Sequence, residues 1–199
     1  MASSTPLHSH EPERPDKREA ILVAALELFA ERGFHGTAVP LVAEKAKVGA
    51  GTIYRYFESK EALVNAVFRG AKQQVAEALT GDFPHEVPPR EQFRVFWKRM
   101  VAFSKVHPHA FDFLAFHHHA SYLDAESRAL EDTVLRPAIS FLERTSKLQV
   151  TKAVDPGLLL AIVWGALVAI VRAQREGLLT VTPEMMKQAE NCCWEAIRR

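Results

Sequence analysis

Apolar residues recur at spacings of three and four through most of the chain, the period of an amphipathic helix. Over residues 16–32 these positions are Ile21, Leu22, Ala25, Leu28 and Phe29, and Gly33 supplies a stop. Thr37 suits the N-cap of a short helix from 38 to about 45, with Val39, Val42, Ala43 and Ala46 on one face. Pro40 stands in its first turn, where no amide donor is required. A turn around Lys47, Val48 and Gly49 leads to a third short helix over 51–57. Its inward residues are Ile53 and Phe57, and Thr52, Tyr54, Arg55 and Tyr56 occupy the other face. Ser59 then caps a long helix that opens on Lys60 and Glu61, carries Ala62, Leu63, Ala66, Val67 and Phe68, and ends near Leu79.

The turn-forming stretch from Thr80 to Glu91 marks the boundary between two units. Beyond it the pattern predicts helices over about 90–106, 109–120, 124–148, 156–176 and 183–198, with Pro137 kinking or splitting the third. No run alternates as a strand would, and no internal repeat is present, so the fold class is all-α. The expected organisation is a tail over 1–15, a helix-turn-helix unit over 16–80 and a helical unit over 81–199.

Composition narrows the class further. Hydrophobic residues make up 48% and charged residues 25% of 199 residues, as in an ordinary globular protein. Lys plus Arg is 25 against Asp plus Glu 24, so any affinity for nucleic acid must be local. Residues 1–17 have no apolar stretch, which argues against a signal peptide. The uncharged run 157–171 is shorter than the roughly 20 residues of a span and reads as a helix buried in protein. Cys192 and Cys193 are adjacent and cannot form a disulfide framework or a zinc site, which fits a reducing cytoplasm.

Two short helices joined by a tight turn, the second bearing aromatic and basic residues, match a helix-turn-helix whose second helix enters the major groove. The chemistry agrees. Gly51 leaves room for close backbone approach, Thr52, Tyr54 and Tyr56 offer hydroxyls to phosphates, and Arg55 reaches base edges. Lys60 opens the next helix, where its ammonium and the N-terminal amides suit a phosphate. Lys45, Lys47, Arg55 and Lys60 outweigh Glu44 and Glu58, so this stretch is locally positive. A dinucleotide-binding loop at Gly49-Ala50-Gly51 is disfavoured, because no strand precedes it and Tyr54 holds the third glycine position.

The run from Phe34 to Leu63, with its glycine and threonine turn and its T-I-Y-R-Y-F core, resembles the TetR/AcrR family of bacterial transcriptional regulators. That resemblance implies an N-terminal DNA-binding domain and a C-terminal domain for ligand binding and dimerisation. It implies phosphate contact at Thr37, base contact at Ala50, Gly51, Tyr54 and Arg55, and backbone contact at Thr52, Tyr56 and Lys60. Lys47, in the turn, completes the expected DNA-binding set. Ala50 stands where the family often carries a polar residue, and its methyl suits a thymine.

In the second half, His117, His118 and His119 point about 100° apart on a helix and do not converge on a metal, and Asp112 and His119 are too far separated to share one. Binding cavities are mostly apolar with a few polar groups, so the expected pocket is Trp97, Met100, Phe103, Phe113, Phe116, His117, Phe141 and Trp164. Ala161, Gly165, Ala169 and Ala173 form a stripe of small side chains, and Met186, Cys193, Trp194 and Ile197 lie on one face of the last helix. Both are expected at a homodimer interface. No nucleophile–base pair or phosphate loop supports catalysis, and no cofactor is expected. The expected function is a cytoplasmic, nucleoid-associated homodimeric regulator. It would act as a repressor at a near-palindromic double-stranded operator, released by a small apolar effector, with no membrane partner. The alternative is an effector-independent or architectural DNA-binding protein of the same fold.

Overall fold

The computed structural model describes residues 16–199, and the expected tail over 1–15 lies outside the described residues. Among these the chain folds as α1 (Lys17–Gly36), α2 (Val39–Lys45), α3 (Ala50–Tyr56), α4 (Lys60–Thr80), α5 (Pro89–Val106), α6 (Pro108–Phe116), α7 (Ala125–Lys147), α8 (Pro156–Arg175) and α9 (Pro183–Ile197). One antiparallel bridge, Thr151 to Arg198, is the extended pairing among the described residues, so the fold is all-α. Local chemistry sets the helix starts. Asp16, Ser59, Asp124, Asp155 and Thr182 each accept a hydrogen bond from a first-turn amide, and prolines occupy first-turn positions of α2, α5, α6, α8 and α9.

The join between α1 and α2 differs from its sequence reading. Gly33 adopts φ +69°, a left-handed conformation open to glycine, and kinks the end of α1. Thr37 does not cap α2, because Ala38 occupies that position and supplies no side-chain bond. The Thr37 side chain is 1% exposed, and its hydroxyl lies 3.1 Å from Leu28 O and 2.9 Å from Gly33 O, to which it donates. It fastens the kink and has no reach to a phosphate, which corrects the expected DNA contact.

Ile21, Phe29, Val42, Ile53 and Leu63 fill the N-terminal head, and α4 carries the core onward through Val67, Phe68 and Ala71. The core is continuous across the expected boundary, because α6 lies along α1 and Phe113 meets Phe29 at 6.2 Å between ring centres. Behind it, α5, α8 and α9 interlock through Phe93, Trp97, Leu159, Leu167, Trp194 and Ile197. Pro137 does not split α7, which is one helix of 23 residues. Helix α8 runs 20 residues, past the uncharged stretch, and by length and composition is apolar enough to cross a membrane. Within the chain it is buried on one face, by Leu159, Val163, Leu167 and Val171.

Helix α6 ends at Phe116, so the three histidines lie in the loop beyond it. His117 Nε2 bonds Ala30 O of α1 at 2.8 Å, and His119 Nε2 bonds Phe113 O at 2.8 Å. With that nitrogen donating, His119 Nδ1 accepts from the Tyr122 hydroxyl at 2.6 Å, which defines the neutral tautomer. The buried amide of Asn65 ties the same loop to α4, donating to Tyr122 O at 2.7 Å and accepting from Asp124 N at 2.9 Å. Burial pushes His119 down to about 4 from 6.5, against the opposing pull of its Phe113 hydrogen bond. The unfolded chain therefore takes up this proton near pH 6.5 and the folded chain near 4, so stability is intact above about 6.5 and falls as the pH drops toward 4. At pH 5 this amounts to about 1–2 kcal/mol, after allowance for partial exposure. Urea midpoints for the native chain and His119→Gln at pH 7.5 and pH 5 check it. The variant is expected to lose less stability on acidification by that amount, and equal losses would contradict it.

Candidate nucleic-acid interface and core cavity

The α2–α3 unit turns on Lys47, whose φ of +55° closes the chain through Lys47 N to Glu44 O at 3.1 Å and Val48 N to Ala43 O at 2.9 Å. Helix α3 then sits on Ile53, 1% exposed, and on Phe57 just past its end, 5% exposed. Because these hold one face to the core, the opposite face is presented outward. Tyr54 is 55% and Tyr56 42% exposed, and Lys47, Ala50, Gly51 and Arg55 are also exposed. Thr52 is half-buried. A Cβ on Gly51 would meet nothing within 4 Å, so the glycine is not required by the chain's own packing. At the start of α4, Lys60 Nζ lies 4.3 Å from the centre of the Phe34 ring, which fixes the ammonium beside the α3–α4 junction. The structure thus leaves every expected DNA-binding residue except Thr37 exposed or half-buried, in the turn before α3, on α3 and at the start of α4.

A second feature lies between α4, α5, α7 and α8. It is a cavity of about 670 Å³, within the size range of small-molecule sites. Its walls include Phe93, Phe96, Met100, Leu114, Phe141 and Trp164. Of the expected pocket set, Met100, Phe141 and Trp164 line it, and five residues do not. Trp97 is buried with its indole donating to Met186 O at 3.2 Å. Phe103 is buried against His107, and Phe113 is packed between Phe29 and His119. Phe116 lies under the guanidinium groups of Arg172 and Arg175, and His117 is bound to α1. Large aromatic rings were drawn into contacts that close the core, whereas the cavity is where four helices fail to meet. Polar residues in the wall were missed at the sequence level: Lys72, His85, Gln92, Glu131 and Arg144. Lys72 carried a signal, since it interrupts the apolar register of Phe68, Val75 and Leu79 on α4. Its ammonium pairs with Glu131 at 2.9 Å and links α4 to α7.

The expected interface residues also divide. Ala161, Gly165 and Ala169 are exposed on α8 and Ala173 is half-buried, beside Leu158 at 54% and Ile162 at 42% exposure. Cys193, Trp194 and Ile197 instead face their own chain, with Trp194 against Phe93 at 5.3 Å between ring centres and Ile197 fully buried. Met186 is half-buried, with its carbonyl engaged by Trp97. Cys193, Trp194 and Ile197 are thus spent within the chain, which removes them from the expected interface, whereas the Met186 side chain remains partly open. Among the described residues no group of three or more His, Cys, Asp and Glu is placed to hold a metal ion.

Residues 21–67 match a family model described as bacterial regulatory proteins, tetR family, and residues 68–199 match one described as tetracyclin repressor-like, C-terminal domain. The HTH-type transcriptional regulator YhgD of Bacillus subtilis is 36% identical over 97 residues, which cover 46% of this chain and 48% of that protein. This chain thus spans about half the length of that relative. A TetR family transcription regulator from Marinobacter aquaeolei VT8 superposes with a TM-score of 0.82 at 25% identity, covering 92% of this chain and 95% of the other. A TetR family protein from Vibrio parahaemolyticus gives 0.76 at 27% identity, covering 92% and 100%.

Proposed function

The chain belongs to the TetR family of bacterial regulatory proteins, and from that premise we propose that it is a cytoplasmic homodimeric repressor of a near-palindromic operator, released by a small apolar effector. The family and the helix-turn-helix make it a transcriptional regulator, and the matched relatives are regulators, not enzymes. The observation that carries the reading is α3 itself, with Ile53 and Phe57 buried and Tyr54, Arg55 and Tyr56 turned outward. Two such helices on a dimer would enter successive major grooves about one helical turn apart.

The effector part of the reading is supported by the cavity, because about 670 Å³ of mostly apolar space between the helices, open at its edge, has the size and lining of a small-molecule site. Helix α4 joins the two sites. It begins directly after α3, and its Lys72, Val75 and Leu79 form one wall of the cavity. An effector that prefers a displaced α4 would change the spacing of the two recognition helices, with a coupling of typically 1–3 kcal/mol.

The dimer reading is supported by the exposed apolar face of α8, since Leu158 and Ile162 flank the small residues Ala161 and Gly165 that let a second helix approach. Ile162→Lys is expected to convert the dimer to monomer in sedimentation equilibrium while the helical circular-dichroism signal of the folded chain is kept, because the side chain is exposed on the isolated chain. A variant that stays dimeric would move the interface elsewhere.

A further inference from the structure

The charges in the cavity wall do not cancel. Its charged and titratable side chains are Lys72, His85, Glu131 and Arg144. Lys72 and Glu131 neutralise each other at 2.9 Å. Arg144 has no carboxylate partner among the described residues. It is exposed at the edge of the cavity, held by one Nη2 hydrogen bond, 2.9 Å to Gln92 Oε1, and by its guanidinium lying 5.8 Å from the centre of the Phe141 ring.

That seat is built. Gln92 is 4% exposed, and its amide nitrogen donates to His85 O at 2.9 Å and Val87 O at 2.7 Å. With both amide protons engaged, the oxygen has a single orientation, toward Arg144. A neutral acceptor and an aromatic ring therefore fix the guanidinium at the cavity mouth, and its other donors face solvent with no carboxylate among the described residues to meet them. Glu131 and Arg144 lie thirteen residues apart on α7, about 20 Å along a helix axis. Between them the wall is apolar, with Leu135, Ala138, Phe96, Met100, Leu160 and Trp164.

We propose that Arg144 is a head-group anchor and that the effector is an elongated amphiphile, with an oxyanion at Arg144 and an apolar tail lying along α7 toward the Lys72–Glu131 pair. The guanidinium fork accepts a carboxylate or a phosphate in the same geometry, whereas a neutral head would leave its charge to water and gain nothing from it. The proposal rests on the cavity being an effector site and adds the chemical class of its ligand.

Calorimetric titration of the full-length protein with decanoate, decyl phosphate and decanol tests it, in the native chain and in Arg144→Gln. The better of the two anions is expected to bind at least about tenfold tighter than decanol. In Arg144→Gln it is expected to fall to the decanol level, while decanol binding is unchanged and so reports an intact cavity. Which anion leads distinguishes a carboxylate from a phosphate head. Decanol binding as tightly as both anions, or a preference that survives Arg144→Gln, would overturn the head-group assignment and leave the effector cavity standing. No binding of any decyl compound would overturn both.

Discussion

Alanine at both Tyr54 and Arg55 is expected to weaken specific operator binding by about 100-fold or more and to leave the fold unchanged. The magnitude follows from removing two side chains, each able to contribute about 1–3 kcal/mol of discrimination in the major groove. The selectivity of the effect follows from position. Tyr54 is 55% exposed and Arg55 is exposed, so neither supports the core, and stability should move by no more than about 0.5 kcal/mol. Fluorescence anisotropy of labelled operator, read beside a thermal melt of the same variant, separates the two quantities. Retained affinity would remove α3 from the interface, and a large drop in the melting temperature would mean that these residues hold the head together.

Phe113→Ala is expected to act in the opposite way, costing about 3–5 kcal/mol of stability. The ring is fully buried at the seam where α6 meets α1, with Phe29 at 6.2 Å and His119 at 4.6 Å between ring centres. The chain cannot readily collapse around the loss, because the same seam is held by His117 to Ala30 O and His119 to Phe113 O. For a chain of this length the melting temperature should fall by about 10 °C. Phe141→Ala makes the comparison, since Phe141 is half-buried in the cavity wall and should lose ligand affinity with a smaller loss of stability. If Phe113→Ala melted with the native chain and lost ligand affinity, Phe113 would belong to the cavity after all.

These two residues also mark how far the sequence could be read. The helices and the outward face of α3 were legible because they follow from local chemistry. Apolar period, side-chain caps such as Ser59 and Asp124, first-turn prolines and a turn at Lys47 each act within a few residues. Thr37 was misread at the same scale, because a hydroxyl before a helix suits a cap as well as it suits the carbonyls of Leu28 and Gly33, and only the kink at Gly33 selects the second. Cavity and interface depend on packing between distant segments. An aromatic ring on α6 has the same sequence signature whether it closes a core, as Phe113 does, or lines a void. The apolar face of α9 likewise did not reveal whether Trp194 would meet Phe93 of its own chain or a second subunit. Helix α8 differs, because it is apolar on faces that one neighbour cannot cover, and Leu158 and Ile162 remain outside.

The central claim is specific recognition of DNA through α3, and the most direct measurement is binding of the full-length protein to the intergenic DNA upstream of its own gene. Fluorescence anisotropy at two salt concentrations, with excess non-specific competitor, gives affinity, salt dependence and stoichiometry together. The account predicts tight binding that resists competitor, with two subunits per site. Weak binding that added salt and competitor erase, on this fragment and across genomic fragments selected for binding, would contradict it.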